Sequence, residues 1–286
     1  MKTTLVRSFT VPAWLLVACL SALPGTVIAA PAEMQLGLQA WTFRASSFYE
    51  TVEKAEALGI RFLQAYPGQR LGTADEPVFH HNMSAEQRTK ALAHLKAHQV
   101  ILASYGVVKP KNEAEWRQVF AFAQAMGIRQ IVCEPTPEAL PLVDQLALKS
   151  GVQASIHNHP RPTYYADPAT ALAAVAPYGP ELGICADTGH WVRGGFDPVE
   201  SLRHTEGRIH CLHFKDLSAF GERSAHDVPW GTGVSHAAGQ MAELRRQKFD
   251  GVVYVEYEHL TPNLDAEVAL CVDYFQRTLA AVRQDR

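Results

Sequence analysis

Ile131-Val132-Cys133-Glu134 is a short apolar run that ends in a carboxylate, and later runs repeat the form. They are Ala154-Ser155-Ile156-His157, Gly183-Ile184-Cys185-Ala186-Asp187, Ile209-His210-Cys211-Leu212-His213 and Val252-Val253-Tyr254-Val255-Glu256. Each ends in a residue that can hold a metal ion or move a proton. If each run is a parallel strand, its last residues stand at the carboxyl edge of the sheet, where open and barrel α/β folds carry their chemistry. One such ending is an accident of composition; a succession of them describes a site.

Working outward from these runs, short β-type segments alternate with longer amphipathic stretches from Met34 onward, the pattern of βα units in a parallel sheet. The segments predict strands over 34–41, 60–66, 100–105, 128–134, 152–158, 182–187, 208–214 and 251–257. The stretches between them predict helices over 47–58, 84–98, 113–126, 137–150, 168–176, 198–205, 235–248 and 264–283. Ser84, Asn112 and Thr136-Pro137 open three of these, and Asp167-Pro168 pairs a capping residue with proline at the first helical position. Ala-Leu-Gly-Ile at 57–60 and Ala-Met-Gly-Ile at 125–128 each stop a helix with glycine and lead straight into a strand. Eight such units without a composition break predict a single (β/α)8 TIM barrel over residues 31–286. A doubly wound open sheet would carry a switch point, and no GxGxxG follows the first strand.

The 286 residues, 47% of them hydrophobic, are enough for one full core. A net charge of −3 without long charged runs leaves no basic stripe, which argues against nucleic acid and anionic membrane as partners and for a small molecule. The first 30 residues read as a signal peptide: Lys2 and Arg7, then an apolar run from Val11 to Leu23, then Pro24-Gly25 before a small-residue cleavage site at Ala29-Ala30. The expectation is export to the periplasm. Leu16-Val17-Ala18-Cys19 resembles a lipobox, and lipidation at Cys19 is the alternative that would attach the chain to a membrane. Cys133, Cys185, Cys211 and Cys271 show no CxxC spacing, so free, buried thiols are expected.

Strands 4 and 8 of an eight-stranded barrel face each other across its axis. Glu134 and Glu256 are therefore expected to point toward one another, with Asp187 and His213 on strands 6 and 7 between them. Taken singly, a strand-end carboxylate is a solvated rim group and a histidine in an apolar run is a core residue; the joint placement at carboxyl edges is what argues for a site. Three carboxylates and one imidazole suit Mn²⁺, Mg²⁺ or Co²⁺, with Zn²⁺ also accommodated. Glu258 shares the parity of Glu256, and Glu256 is preferred because it ends the apolar run directly. His157 and His159 share a parity and could line the pocket, as could the aromatic residues Trp41, Tyr66, Tyr105, Trp191 and Trp230 at or after strand ends. The glycine-rich loop Val228–Gly233 reads as a substrate-covering segment rather than a phosphate cradle.

Glu134 in Ile-Val-Cys-Glu-Pro, the phrase Asp187-Thr188-Gly189-His190-Trp191, then His213-Phe214-Lys215-Asp216 and Val255-Glu256-Tyr257-Glu258, resemble the xylose-isomerase-like TIM-barrel family. That family includes ketose 3-epimerases, inosose dehydratases and many proteins called sugar phosphate isomerase/epimerase, and the resemblance spans residues 34–283. It implies Glu134, Asp187, His213 and Glu256 as metal ligands, the two glutamates as the proton-exchanging pair, and His190 on substrate oxygens. His157, Lys215 and Trp230 complete the expected substrate contacts. Ketose 3-epimerases carry an arginine shortly after the metal-binding histidine; Lys215 here is a point charge without the bidentate fork, which points away from plain 3-epimerisation.

The expectation is a divalent-metal sugar isomerase or epimerase that abstracts an α-proton from an unphosphorylated carbohydrate. A lyase that cleaves 3-keto-glycosides by β-elimination is the alternative. A non-catalytic sugar-binding barrel would have no use for a base beside the metal, and an endonuclease IV-like enzyme would need a basic groove that the charge of −3 does not supply. Mass spectrometry of the mature protein is expected to find an N-terminus at Ala30 or Pro31; a lipid on Cys19 would assign the other peptidase, and an intact Met1 would refute export.

Overall fold

The computed structural model describes residues 34–73 and 75–284 besides Met1, so residues 2–30 of the expected signal peptide lie outside the described residues. Eight parallel strands close into a barrel: β1 Gln35–Gln39, β2 Phe62–Ala65, β3 Ile101–Val108, β4 Gln130–Cys133, β5 Gln153–His157, β6 Leu182–Asp187, β7 Ile209–Phe214 and β8 Val252–Val255. Closure comes from β1 pairing with β8, with Gly37 opposite Tyr254 and Leu38 opposite Val255. The (β/α)8 barrel read from the strand pattern is thus the observed fold, each strand overlapping its expected segment.

The outer ring consists of α1 Phe48–Ala57, α2 Ala85–Ala97, α3 Glu113–Met126, α4 Leu140–Ser150, α5 Pro168–Val175, α6 Thr188–Arg193, α7 Pro198–His204, α8 Ala237–Arg246 and α9 Leu264–Gln284. Local chemistry sets their limits. Ser47 with Glu50 and Ser84 with Gln87 form reciprocal capping boxes that satisfy the first free N–H groups of α1 and α2. Gly127 and Gly151 end α3 and α4 in the left-handed conformation that glycine adopts without a Cβ penalty. Between those limits α3 buries Trp116, Val119, Phe120, Ala123 and Met126, a stripe at helical spacing that faces the sheet.

Several boundaries differ from the expected ones. β1 stops at Gln39, whose side-chain carbonyl accepts from Trp41 N and turns the chain into a 3-10 segment, Ala40–Phe43. β3 continues to Val108, beyond the apolar run. The helix expected from 137 begins as a 3-10 turn, Pro137–Ala139, before α4. Helix α6 follows β6 at once and was not expected. The two long connections after β2 and β7 each carry a short antiparallel ribbon, Gln69–Arg70 with Val78–Phe79 and Asp216–Leu217 with Asp227–Val228.

Inside the barrel, Val132, Cys185, Cys211 and Tyr254 form a fully buried layer below the carboxyl edge. The four described cysteines are free and buried, as expected. Room for the Tyr254 ring depends on Gly37, where an added Cβ would lie 2.5 Å from that ring and 2.6 Å from Val252 Cγ1. Gly37→Ala is therefore expected to destabilise the barrel by roughly 1–3 kcal/mol, the usual cost of overpacking, read as a lowered urea midpoint with an unchanged slope; an unaltered midpoint would mean the ring has space to move.

Candidate active site

Asp187 shows how the sequence builds this centre locally. It is the last residue of β6 and the N-cap of α6: Oδ1 accepts from His190 N at 2.7 Å, satisfying a free donor of the helix start. That leaves Oδ2 to face the barrel axis. Asn158, just past β5, holds the same strand end through two 2.8 Å bonds with the Asp187 backbone. Around Oδ2 stand His157 Nε2 at 3.4 Å, His190 Nε2 at 3.5 Å, His213 Nδ1 at 3.9 Å and, closer still, Lys215 Nζ.

Glu256 follows β8 and meets the same group from the other side. Its Oε2 is bonded to Lys215 Nζ and lies 3.1 Å from His213 Nδ1. Lys215 is fully buried, and its stem passes over Gly189, where a Cβ would lie 2.6 Å from Lys215 Cβ and Cδ; this explains the glycine of the Asp-Thr-Gly-His phrase. One donor atom each from His157, Asp187, His213 and Glu256 lies within 4.8 Å of the others.

Glu134 is one step removed. Oε1 is bonded to His157 Nδ1 at 3.2 Å and more closely to His159 Nδ1, and Oε2 pairs with Lys109 Nζ at 2.6 Å. Glu134, His157 and His159 form a second group, which shares His157 with the first. The two glutamates are thus brought to the same end of the barrel on either side of the histidines.

Both central histidines have one ring nitrogen committed. Gln64 gives its amide N–H to the Gly106 carbonyl, so its Oε1 accepts from His213 Nε2 at 3.1 Å and Nδ1 is left facing the carboxylates. Glu134 accepts from His157 Nδ1 and leaves Nε2 toward Asp187. His157 Nε2 and His213 Nδ1 are buried without a hydrogen-bond partner. This is the arrangement in which an outer carboxylate or amide orients an imidazole for a cation.

The charges follow the same logic. Burial works against ionisation of Asp187, but His190, Lys215 and His157 outweigh it and hold the carboxyl well below the usual range. Glu256 is likewise lowered against burial by His213 and Lys215, and Glu134 by its bonds to His157 and His159. His157 is raised to about 9, burial being outweighed by Asp187 and Glu134, and His213 to about 9, burial being outweighed by Cys185 and Glu256. The centre demands positive charge.

Above it opens a cavity of about 220 Å³ lined by Gln39, Trp41, Tyr66, Lys109, His157, His159, His190, Glu256 and Glu258. Trp41 and Tyr66 meet edge to face at 5.0 Å and make its aromatic wall. Trp230, expected at the substrate, is instead 3% exposed and packed on Phe214 with ring centroids 4.5 Å apart. The cause is Asp216: Oδ2 accepts from Gly231 N at 2.8 Å and Gly233 N at 3.0 Å, and Oδ1 from Ser235 N at 2.9 Å, folding the loop down. Tyr105 and Trp191, also expected as walls, are fully buried core residues. Lys215, expected at the substrate, has its charge neutralised between Asp187 and Glu256, and Lys109 is the lysine that lines the pocket.

Sequence reasoning passed over Gln64, Lys109, Asn158 and Arg193. Lys109 was hidden because β3 extends past its apolar run, and Gln64 was visible only as a polar residue near the end of a strand. Arg193 sits three residues after His190, one helical turn on. Its Nη1 lies 3.1 Å from His190 Nδ1 and 2.5 Å from Glu258 Oε2, and its Nη2 lies 3.2 Å from Asp227 Oδ2. A guanidinium has no acceptor, so His190 Nδ1 accepts and Nε2 carries the hydrogen into the pocket. Glu258 thus belongs to Arg193, while Glu256 belongs to the centre.

Fold and site together define a TIM-barrel protein with a buried imidazole and carboxylate centre at the carboxyl edge. The chain belongs to the xylose isomerase-like TIM barrel family, whose model matches residues 52–274. It is similar to an uncharacterized protein of Parabacteroides distasonis ATCC 8503, at 30% identity over 85% of this chain and 98% of that one, with a TM-score of 0.70. A D-tagatose 3-epimerase-like protein, at 15% identity over 88% and 99% with a TM-score of 0.69, shares the fold. So does the IOLI protein, solved with a bound zinc atom, at 19% identity over 87% and 98% with a TM-score of 0.65. No functionally curated protein matches the sequence.

Arg193→Gln is expected to release His190 into a mixture of ring tautomers, whereas Arg193→Lys retains the Nε2–H form. Ring ¹⁵N shifts measure this directly, and a wild-type ring protonated at Nδ1 would contradict the assignment.

Proposed function

We propose that this protein is a divalent-metal-dependent enzyme of the sugar isomerase and epimerase class that abstracts an α-proton from an unphosphorylated carbohydrate. The observation that carries the reading is the pair of buried ring nitrogens, His157 Nε2 and His213 Nδ1, that face Asp187 and Glu256 without a hydrogen-bond partner. Two partnerless nitrogens and two carboxylate oxygens that share Lys215, all buried together, are a donor set that fits a divalent cation. Asp187, His213 and Glu256 would hold it, with Glu134 the fourth ligand that the family resemblance implies and His157 the fourth donor that stands beside them. When bound, the ion would supply Lewis-acid stabilisation of the enediolate that forms as the α-proton leaves.

The chain's own residues supply the rest. The cavity of about 220 Å³ is smaller than the roughly 300–1,000 Å³ of drug-sized sites, which suits one small sugar. Trp41 and Tyr66 offer an apolar face for stacking. His190 Nε2–H is a fixed donor for a substrate oxygen, and Lys109 adds a cation at the rim. Glu256, ionised and on the pocket wall, is placed to take a proton. The reading of an exported chain adds weight to an unphosphorylated substrate.

A second reading, β-elimination from a 3-keto-glycoside, is favoured by an asymmetry. Glu256 lines the cavity, whereas both oxygens of Glu134 are engaged by His157, His159 and Lys109. Epimerisation needs proton exchange on two faces, but elimination needs one base and a separate proton donor for the departing oxygen, a part that His190 can play.

Asp187→Ala or His213→Ala is expected to remove one equivalent of bound divalent ion in competition assays while circular dichroism stays native; a wild-type protein that binds no ion lost in these variants defeats the metal reading. Glu256→Gln is expected to lower solvent deuterium exchange at the α-carbon by about 10²-fold or more, the scale of a lost general base, measured by NMR on ketoses and 3-keto-glycosides. Equal loss in Glu134→Gln supports epimerisation, and loss in Glu256→Gln alone supports elimination. Near-normal exchange in both removes the glutamates as bases.

A further inference from the structure

A second cluster of metal-ligand residues stands on the outside of the barrel, where α1 and α2 run side by side. His94 in the last turn of α2 and His98 at its C-cap lie four residues apart, the spacing that puts two side chains on one helical face. Their rings are 4.4 Å apart, centroid to centroid. Glu53 of α1 faces them, with Oε1 at 3.7 Å from His94 Nε2, and one donor atom from each of the three lies within 4.8 Å of the others.

We propose that Glu53, His94 and His98 form a second divalent transition-metal site, of the zinc, nickel or copper class, that clips α1 to α2. Two imidazoles and a carboxylate are a donor set those ions favour over magnesium or calcium. An outer partner is already in place. His98 Nδ1 is 2.7 Å from Glu56 Oε2, so its Nδ1–H is given to a carboxylate and Nε2 keeps its lone pair. His94 Nε2 faces Glu53 and lies 3.2 Å from the Tyr49 carbonyl, a contact that ligation through Nε2 would exchange for the ion. Both rings are about a quarter exposed, so an ion can enter from solvent and a water can complete the coordination. The last turn of α2 leads into the start of β3, which places the clip toward the amino edge of the strands, away from the pocket. Nothing in the proposed reaction depends on it.

The test compares the metal-free wild type with H94A/H98A, using Zn²⁺ alone in calorimetry and Co²⁺ alone for the visible absorption of a low-symmetry site. The wild type is expected to bind about one equivalent of Zn²⁺ more than the variant, and Zn²⁺ is expected to raise its melting temperature further. Glu56→Gln, which leaves all three ligands present, is expected to weaken that extra equivalent by about 10- to 100-fold, the usual effect of losing an orienting partner. Because both helices keep their buried faces in these variants, loss of fold is not expected, and circular dichroism checks it. Equal Zn²⁺ stoichiometry and affinity in wild type and H94A/H98A would overturn the site. Loss of the extra equivalent in Asp187→Ala but not in H94A/H98A would assign it to the central cluster and overturn the site as well.

Discussion

Two carboxylates taken out of water, Asp187 and Glu256, are the constraint that the rest of this centre answers to. A buried ionised carboxylate costs several kcal/mol unless charge and hydrogen bonds are returned to it. Here the return comes from four side chains: Lys215 and His213 from β7 and its exit, His157 from β5, His190 from α6. Each of the three histidines is in turn held by a further neighbour. Gln64 holds His213, Glu134 holds His157 and Arg193 holds His190. Removing one carboxylate would therefore leave several buried donors facing nothing, and the cost of the centre is distributed over the whole rim.

The same residue type is used in opposite ways a few residues apart. Asp187 divides its oxygens, one to cap α6 and one to the site, so secondary structure and chemistry share a side chain. Asp216 turns both oxygens on backbone N–H groups of the loop that follows β7. That loop is rich enough in glycine to cradle an anion, but the anion is already present as a carboxylate of the chain. The consequence reaches Trp230, which is pulled into the core against Phe214 and leaves Trp41 and Tyr66 as the aromatic wall.

The elements were legible because each carries its own local signal. Apolar runs marked the strands, and glycine at 59 and 127 and serine at 84 marked helix limits for reasons confined to one turn. Helix α6 escaped notice because six residues are too few to show a period. Glu134, Asp187, His213 and Glu256 were visible as strand endings, and all four stand at the expected edge. What was not visible is which of them touch: His157 comes closer to Asp187 than any spacing argument indicated, Lys215 lies between Asp187 and Glu256, and Glu134 is engaged by His157, His159 and Lys109.

By itself the sequence determined the barrel, the edge on which the chemistry stands and the residue types gathered there, since periodicity and caps act within a few residues. Only the tertiary structure decided the partner of each charge, the tautomer of each histidine and the direction of each aromatic ring. Those depend on residues such as Gln64 and His213, 149 positions apart, whose meeting follows from closure of the barrel.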